Sequence, residues 1–165
     1  MKSLLGYWLD AIGQTMSAIA NTPLVIKEKA LSSQLDLWGN VLQGTGTALI
    51  SEGEEEFSLE RVGNQLESLG NVVTIASFLS PFSDEVKMKL DKQGDIIETL
   101  GVSIALPDEL QEEITLELFF DIYGHFLQVI EIKEVDEDFI DMIAEWSQAI
   151  ASIHSLMNAM QADLQ

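Results

Sequence analysis

The residues Val62-Gly63-Asn64-Gln65-Leu66-Glu67-Ser68-Leu69-Gly70-Asn71 contain the unit from which most of this chain is built. Two glycines stand seven residues apart, and Leu66 follows the first by three positions. Steps of three, four and seven residues return to one side of an α-helix, so both glycines and this leucine share a face. Glycine costs a helix interior about 0.5–1 kcal/mol relative to alanine. Two glycines on one face therefore predict a compensating close approach of a second helix.

The glycine pair recurs along the chain. Four pairs have the seven-residue spacing: Gly6/Gly13, Gly39/Gly46, Gly63/Gly70 and Gly94/Gly101. Two weaker copies begin at Gly124 and Ser147, where Glu131 and His154 occupy the place of the second glycine. The copies are unevenly spaced, so they do not form a regular solenoid. We expect the nine glycines of these units to lie at helix contacts: Gly6, Gly13, Gly39, Gly46, Gly63, Gly70, Gly94, Gly101 and Gly124.

The pattern predicts six helices with polar or proline-containing connections. Their expected ranges are approximately 2–20, 24–51, 58–80, 84–105, 108–131 and 137–163. The three prolines, at 23, 81 and 107, fall between units, where proline ends or begins a helix. No segment has the strict alternation of a strand, and short connections make successive helices antiparallel. The sequence thus predicts an all-α, up-and-down antiparallel bundle of about six helices, with residues 1–165 forming one domain.

Composition excludes several classes of function. The chain has 165 residues, 47% of them hydrophobic, with 28 acidic residues, 8 basic residues and no cysteine. The lack of cysteine excludes disulfides, thiolate metal sites and cysteine nucleophiles. A net charge of -20 argues against nucleic acid and anionic membrane surfaces as partners. The start of the chain lacks the pattern of a secretory signal, and the most apolar stretch, 71–82, is too short to span a bilayer. We therefore expect a cytoplasmic protein.

The two histidines do not match a known metal-binding pattern. A di-iron carboxylate site needs a glutamate three positions before each histidine. The residue three positions before His125 is Ile122, and the residue three positions before His154 is Ala151. Asp121 and His125 have the four-residue spacing that can bind a metal, although an isolated pair of this kind is more typical of a cap or surface contact.

Other motifs of binding and catalysis fail as well. A calcium loop beginning at Asp136 would require glycine at its sixth position and glutamate at its twelfth, where the chain has Asp141 and Ser147. The glycine-rich stretch 39–46 lacks the lysine of a phosphate-binding loop. We expect no metal site, no cofactor and no catalytic residue, and interpret the protein as a non-enzyme.

Two patterns within the units have alternative interpretations. A polar residue recurs beside the glycine face in five copies, as Asp10, Gln43, Glu67, Glu98 and Gln128. We expect this polar ring to border the helix contacts and meet water, and the alternative is a shared ring that binds a cation or a polar ligand. Three tryptophans, Trp8, Trp38 and Trp146, are expected to pack in the core, with interface anchors as the alternative.

Acidic residues concentrate in connections and helix starts. They are candidates for a surface that contacts a partner: Glu52, Glu54, Glu55, Glu56, Glu131, Glu134, Asp136, Glu137, Asp138 and Asp141. Side chains in such segments stay hydrated, so their charge is available for steering a basic partner. The alternative is that they serve only solubility and helix capping.

The units at 38–46 and 62–71 resemble those of uncharacterised repetitive helical proteins from Bacillus-type bacteria, which read approximately G-N-x-L-Q-x-x-G-N. The resemblance supports the repeat architecture and implies no activity. We interpret the chain as a non-catalytic helical protein, monomeric or homodimeric, that acts through protein–protein contacts and neutralises a basic partner. The alternative is a membrane-associated helical bundle, since glycines at this spacing suit lipid-embedded contacts and the mean hydropathy is +0.16.

Overall fold

The computed structural model describes residues 2–54, 56–109, 115–130 and 136–164. It contains six α-helices: α1 (Lys2–Ala20), α2 (Lys29–Gly53), α3 (Leu59–Leu79), α4 (Asp84–Glu109), α5 (Leu116–Val129) and α6 (Glu137–Asp163). No strand occurs in the described ranges. The predicted all-α bundle of six helices is confirmed.

Local sequence explains most of the helix starts. Ser58 caps α3 by accepting a hydrogen bond from the Arg61 amide at 2.9 Å. Asp136 caps α6 by accepting one from the Asp138 amide at 3.2 Å. Both residues satisfy amide groups that have no partner within the helix.

Three predicted boundaries are wrong. Helix α2 begins at Lys29 and not at residue 24, because residues 22–26 form a turn in which the Val25 amide donates to the Thr22 carbonyl at 2.9 Å. Helix α4 continues through Pro107 to Glu109, although the proline was expected to separate two helices. Helix α5 therefore begins at Leu116 and not at the predicted residue 108. Proline removes one i to i−4 hydrogen bond, and only two helical residues follow it. The cost therefore stays confined to the final turn.

The six helices form a closed ring. Each helix packs against the one before it and the one after it, and α6 packs against α1. Within the described ranges, helices that are not neighbours in this ring have no Cα atoms within 8 Å of each other. The middle of the bundle is therefore enclosed by all six helices and is crossed by none.

Glycines bring the helices of each hairpin together. On α1, a Cβ atom placed on Gly6 would lie 2.7 Å from the Gly46 carbonyl oxygen of α2. A Cβ atom placed on Gly13 would lie 2.7 Å from the Gly39 carbonyl oxygen of α2. The residue numbers of the contacting glycines rise along α1, from Gly6 to Gly13, while those of their partners on α2 fall from Gly46 to Gly39. The two helices are therefore antiparallel. Both distances are too short for a side chain, so the contact depends on glycine.

The other two hairpins use the same device. Between α3 and α4, Gly63 lies opposite Gly101 and Gly70 lies opposite Gly94. Between α5 and α6, a Cβ atom on Gly124 would lie 2.8 Å from the Ala144 carbonyl oxygen. All nine glycines singled out in the sequence thus face the backbone of another helix.

The distribution of apolar side chains is inverted relative to an ordinary bundle. The buried apolar residues are mainly alanines, and exposed large apolar side chains occur on every helix. The expected core packing of the tryptophans is wrong: Trp8, Trp38 and Trp146 are 43%, 58% and 38% exposed. Glycine and alanine fill the contacts between helices, so the indole rings have no space there and lie on the outer surface.

Candidate functional site

The polar ring lies inside the bundle. Asp10 and Glu67 line a larger interior cavity, whereas Gln43, Glu98 and Gln128 line a smaller one. Gln43 is 4% exposed and Glu98 is 6% exposed, so the expectation that they border the contacts and meet water is wrong. The glycine face of each helix contacts its hairpin partner, and the residues beside that face turn toward the axis of the ring.

The larger cavity has a volume of about 360 Å³ and is lined by residues from all six helices. Thr115 and Asn158, which are exposed, lie at its edge, so it reaches the surface at the end of the ring where α1 begins. Buried apolar residues form part of its wall: Ile50, Ala105, Leu118 and Ala151. Its carboxylates are Asp10, Glu60, Glu67, Glu117 and Asp121.

The smaller cavity, of about 90 Å³, lies toward the opposite end of the ring. It also takes residues from all six helices, and exposed Asp91 lies at its edge. Its carboxyl groups are Asp36, Asp91, Asp95, Glu98, Asp141 and Glu145. No described lysine or arginine lines either cavity. The interior therefore concentrates acidic groups.

Among the described residues, His125 is the one basic side chain that lines the larger cavity. It is 2% exposed, and its Nδ1 lies 3.1 Å from the Asp121 carbonyl oxygen and 3.4 Å from Asp121 Oδ1. Burial by itself lowers the pKa of His125, but the carboxylates of Asp121, Glu67 and Glu98 together raise it to about 10. The imidazole is therefore positively charged at neutral pH. The sequence identified the Asp121/His125 spacing but favoured a surface contact, whereas the structure buries the histidine.

The interior carboxyl groups resist ionisation. Burial raises the pKa of Asp10 to about 6, opposed by a hydrogen bond from Ser152. Burial also raises the pKa of Asp36 to about 6 and that of Glu98 to about 7. The pKa of Glu67 is raised as well, again chiefly by burial. Removal of water from around a carboxylate disfavours its charged form, so these interior carboxyl groups keep their protons to a higher pH than exposed carboxyl groups do.

Amide side chains link the helices around the smaller cavity. Gln148 Nε2 donates to Gln128 Oε1 at 2.7 Å, and Gln128 Nε2 donates to Glu145 Oε1 at 3.1 Å. Gln43 Nε2 donates to Ser17 Oγ at 3.1 Å. These bonds orient the amides without involving charged donors.

Some buried polar atoms in the interior have no hydrogen-bond partner. Gln14 is 6% exposed and lines the larger cavity, and its Oε1 is unpaired. In the smaller cavity, Thr74 Oγ1 and Glu145 Oε2 are also unpaired. Buried polar atoms normally have a partner, so each such atom indicates a place where a donor can bind.

The described part of the chain contains no group of three or more histidine, aspartate or glutamate side chains placed to hold a metal ion. The Asp121/His125 pair is therefore not extended into a metal centre by any other described side chain. The interior acids are instead spread along the axis of the ring, from Glu117 at one end to Asp91 at the other.

The acidic residues proposed as a partner surface do not form one patch. Glu52, in the last turn of α2, and Glu56, just after this helix, are exposed at the end where the larger cavity opens. Asp136 and Asp138 are exposed at the opposite end. Asp141 lines the smaller cavity and so contributes to the interior. Glu55, Glu131, Glu134 and the side chain of Glu137 lie outside the described residues.

Besides Asp136, which caps α6, Glu52 and Glu54 have side-chain partners in other segments of the chain. Glu52 pairs with Lys2 at 3.2 Å. Glu54 accepts hydrogen bonds from the Ser58 hydroxyl and, at 3.3 Å, from Asn64 Nδ2. Glu54 therefore stabilises the start of α3, while Glu56 has the exposure that a partner contact needs.

The outer face of α5 carries the densest group of aromatic side chains on the described surface. Phe119, Tyr123 and Phe126 are 57%, 43% and 56% exposed. The rings of Phe119 and Tyr123 stack with their centroids 5.9 Å apart and their planes within 6°. We refer to these three residues as the α5 aromatic face.

Across the described ranges, none of the helices has both the length and the apolar character needed to cross a bilayer.

The chain belongs to a family of unknown function, DUF6944, whose model matches residues 1–156. No curated protein and no solved structure matches the chain.

Proposed function

We propose that this member of the family acts without catalysing a reaction, by binding a basic protein through the α5 aromatic face. The observation that carries the proposal is the exposure of Phe119, Tyr123 and Phe126 on one side of one helix. Aromatic residues are enriched among the side chains that dominate protein–protein binding energy. Tyr123 also offers a hydroxyl at the edge of the contact.

The stacked arrangement favours this face over the other exposed apolar side chains. Phe119 and Tyr123 already restrict each other through their parallel rings, so less side-chain entropy is lost on binding. Trp38, which is 58% exposed on α2 and lies three helices away in the ring, has no ring contact among the described aromatic pairs. It provides a matched comparison for the α5 aromatic face.

Net charge favours a basic partner over a second copy of this chain. Each copy carries a net charge of -20, so two copies repel one another at long range. Exposed acids such as Glu56, Asp136 and Asp138 attract a basic protein and accelerate its association. In this proposal the aromatic contact provides affinity and the acids provide steering.

Association with a membrane is the second candidate. Large apolar side chains face outward on every helix while many of the carboxyl groups line the interior, a distribution that suits an apolar environment around the ring. Close glycine-mediated crossings are also frequent between lipid-embedded helices. Against this candidate stands the absence, in the described ranges, of a helix able to cross a bilayer.

A photo-crosslinking amino acid placed at Phe126 tests the proposal in native cells, with the same amino acid at Trp38 as the control. We expect a basic protein to be captured from Phe126 and not from Trp38. Phe119→Ser with Tyr123→Ser should abolish this capture, while circular dichroism verifies the fold. Equal capture at both positions would contradict the proposal. Flotation with neutral lipid vesicles tests the second candidate, which requires the protein to float with the lipid.

A further inference from the structure

We propose that the larger interior cavity binds an aliphatic polyamine, a flexible chain that carries several ammonium groups. This inference concerns the interior of the ring and does not depend on the α5 aromatic face. It rests on the charge of the cavity, on an unpaired acceptor within it, on the spread of its carboxylates and on its apolar wall.

The cavity has more carboxylates than basic partners among the described residues. Five carboxylate residues line it, whereas two histidines pair with them. His125 lies beside Asp121, and His154 pairs with Glu117 at 2.9 Å. Carboxylates removed from water need a partner to remain ionised. A polycation would supply that charge from outside.

Gln14 gives an independent indication of a hydrogen-bond donor. Its side chain is 6% exposed and lines the cavity, and Oε1 has no hydrogen-bond partner. An amide oxygen accepts hydrogen bonds and cannot donate them. The ligand that satisfies it must therefore present an N–H or O–H group, as an ammonium group does.

The arrangement of the acids favours an organic cation over a metal ion. A divalent metal needs several oxygen ligands converging on one point, and no such group of three acidic or histidine side chains occurs in the described part of the chain. A primary ammonium group carries its N–H donors on one atom and can pair with a single carboxylate, so it does not need converging ligands. Several ammonium groups along a chain thus match acids that are distributed along the cavity.

The wall between the acids suits the methylene segments of such a ligand. Ile50 and Leu118 are each 6% exposed, and Ala151 is 2% exposed, and all three line the cavity. The volume of about 360 Å³ falls in the range of small-molecule sites, roughly 300–1,000 Å³. Apolar walls with a few placed polar groups are typical of these sites.

Spermidine is the probe for the test, titrated into the full chain by calorimetry in 150 mM salt, about the physiological ionic strength. We expect one spermidine per chain, and binding at least tenfold weaker in Asp10→Asn and in Gln14→Leu. The matched control is Glu85→Gln, which removes a charge from an exposed pair with Lys89 on the outside of α4. This control should leave the affinity unchanged.

Three results would overturn the proposal. One is an equal loss of affinity in Glu85→Gln, which indicates binding to net charge alone. Another is tighter binding of Mg²⁺ or Ca²⁺ than of spermidine at equal ionic strength. The third uses the unaltered protein and so does not depend on the folding of variants: spermidine should shift the imidazole resonances of His125 in a saturable manner, and no shift would place the ligand elsewhere.

Discussion

Gly63 and Gly101 face each other so closely that a Cβ atom on either residue would lie 2.7 Å from the carbonyl oxygen of the other. The relationship is reciprocal, so neither helix can accept a side chain at this point without moving its partner. In an unconstrained helix, alanine stabilises relative to glycine by up to about 1 kcal/mol. At Gly101 alanine should destabilise the fold, because the added Cβ atom would collide with the Gly63 carbonyl oxygen, a backbone atom that cannot rotate away.

We therefore expect Gly101→Ala to lower the free energy of unfolding by roughly 1–3 kcal/mol, and Gly101→Leu by at least as much. The measurement is urea denaturation followed by circular dichroism. Gly53→Ala is the control, because the atom nearest its added Cβ atom is the Ser3 hydroxyl oxygen, which can rotate away, and the next, Ser3 Cβ, is 3.0 Å away. An unchanged or raised stability of Gly101→Ala would disprove the close crossing of α3 and α4.

The buried charges predict that stability decreases as pH rises. In the folded chain the pKa of Asp10 and of Asp36 is raised to about 6, and that of Glu98 to about 7. A carboxyl group with a raised folded pKa stabilises the fold below its unfolded pKa, near 4, and this contribution is lost as pH rises to the folded value. The pKa of His125 is raised from 6.5 to about 10, so its contribution is lost between those values.

Both effects have the same sign, and we expect the urea midpoint to fall continuously from pH 5 to pH 9. Glu98→Gln removes one of these ionisations and should raise the midpoint at pH 9 while leaving it nearly unchanged at pH 4. Glu85→Gln, exposed on the same helix, should keep the slope of the unaltered protein. A maximum of stability at pH 7 to 8 would refute this assignment of the interior charges.

The sequence predicted the helices well and the direction of their faces poorly. Glycines seven residues apart predict a close helix contact wherever they occur, because no other residue gains from that position. The pattern could not indicate which flank of the glycine face turns toward the axis. Glu67 and Glu98 were expected at the water-facing edge because isolated helices usually bury their apolar flank. Ring closure puts the opposite flank inside.

The acidic interior depends on contacts between residues far apart in sequence, which a single sequence does not reveal. The charges of Glu67 on α3 and Glu98 on α4 raise the pKa of His125 on α5, so the three residues come from three different helices. Four-residue spacing identified Asp121 beside it, since both lie on α5. A polar residue recurs at the same position in five units, and this recurrence was the sequence feature that pointed to the polar interior. A ligand-binding ring was the alternative interpretation of that pattern.

Closure of the ring between α1 and α6 includes a long-range hydrogen bond. Trp146 Nε1 donates to Thr22 Oγ1 at 2.9 Å, and Thr22, which is 8% exposed, donates in turn to the Ala18 carbonyl at 2.6 Å. A hydrogen bond of this kind contributes about 0.5–1.5 kcal/mol. We expect Thr22→Val and Trp146→Phe each to lower the free energy of unfolding by about this amount or slightly more.

A double-mutant cycle separates the bond from the other effects of each change. The two losses should not add, since both variants remove the same hydrogen bond. Strict additivity would indicate that Trp146 and Thr22 are not in contact. The single variant Thr45→Val serves as a control for the loss of a hydroxyl group, because the Thr45 hydroxyl donates to the Val41 carbonyl of its own helix.

The acidic segment at the end of α2, residues 52–56, provides the last test, and the structure changes which of its residues should be replaced. Replacing Glu54 would disturb the start of α3, since this carboxylate accepts hydrogen bonds from Ser58 and Asn64. Glu52 and Glu56 are exposed, so Glu52→Gln with Glu56→Gln removes charge with little effect on the fold. If these acids steer a basic partner, its association rate should fall in the double variant at low salt. The difference from the unaltered protein should then shrink as added salt reduces the Debye length to about 8 Å and below. Dissociation rates should stay the same, because rim charges act mainly on association. Equal association rates at low salt would leave this segment a role in solubility alone.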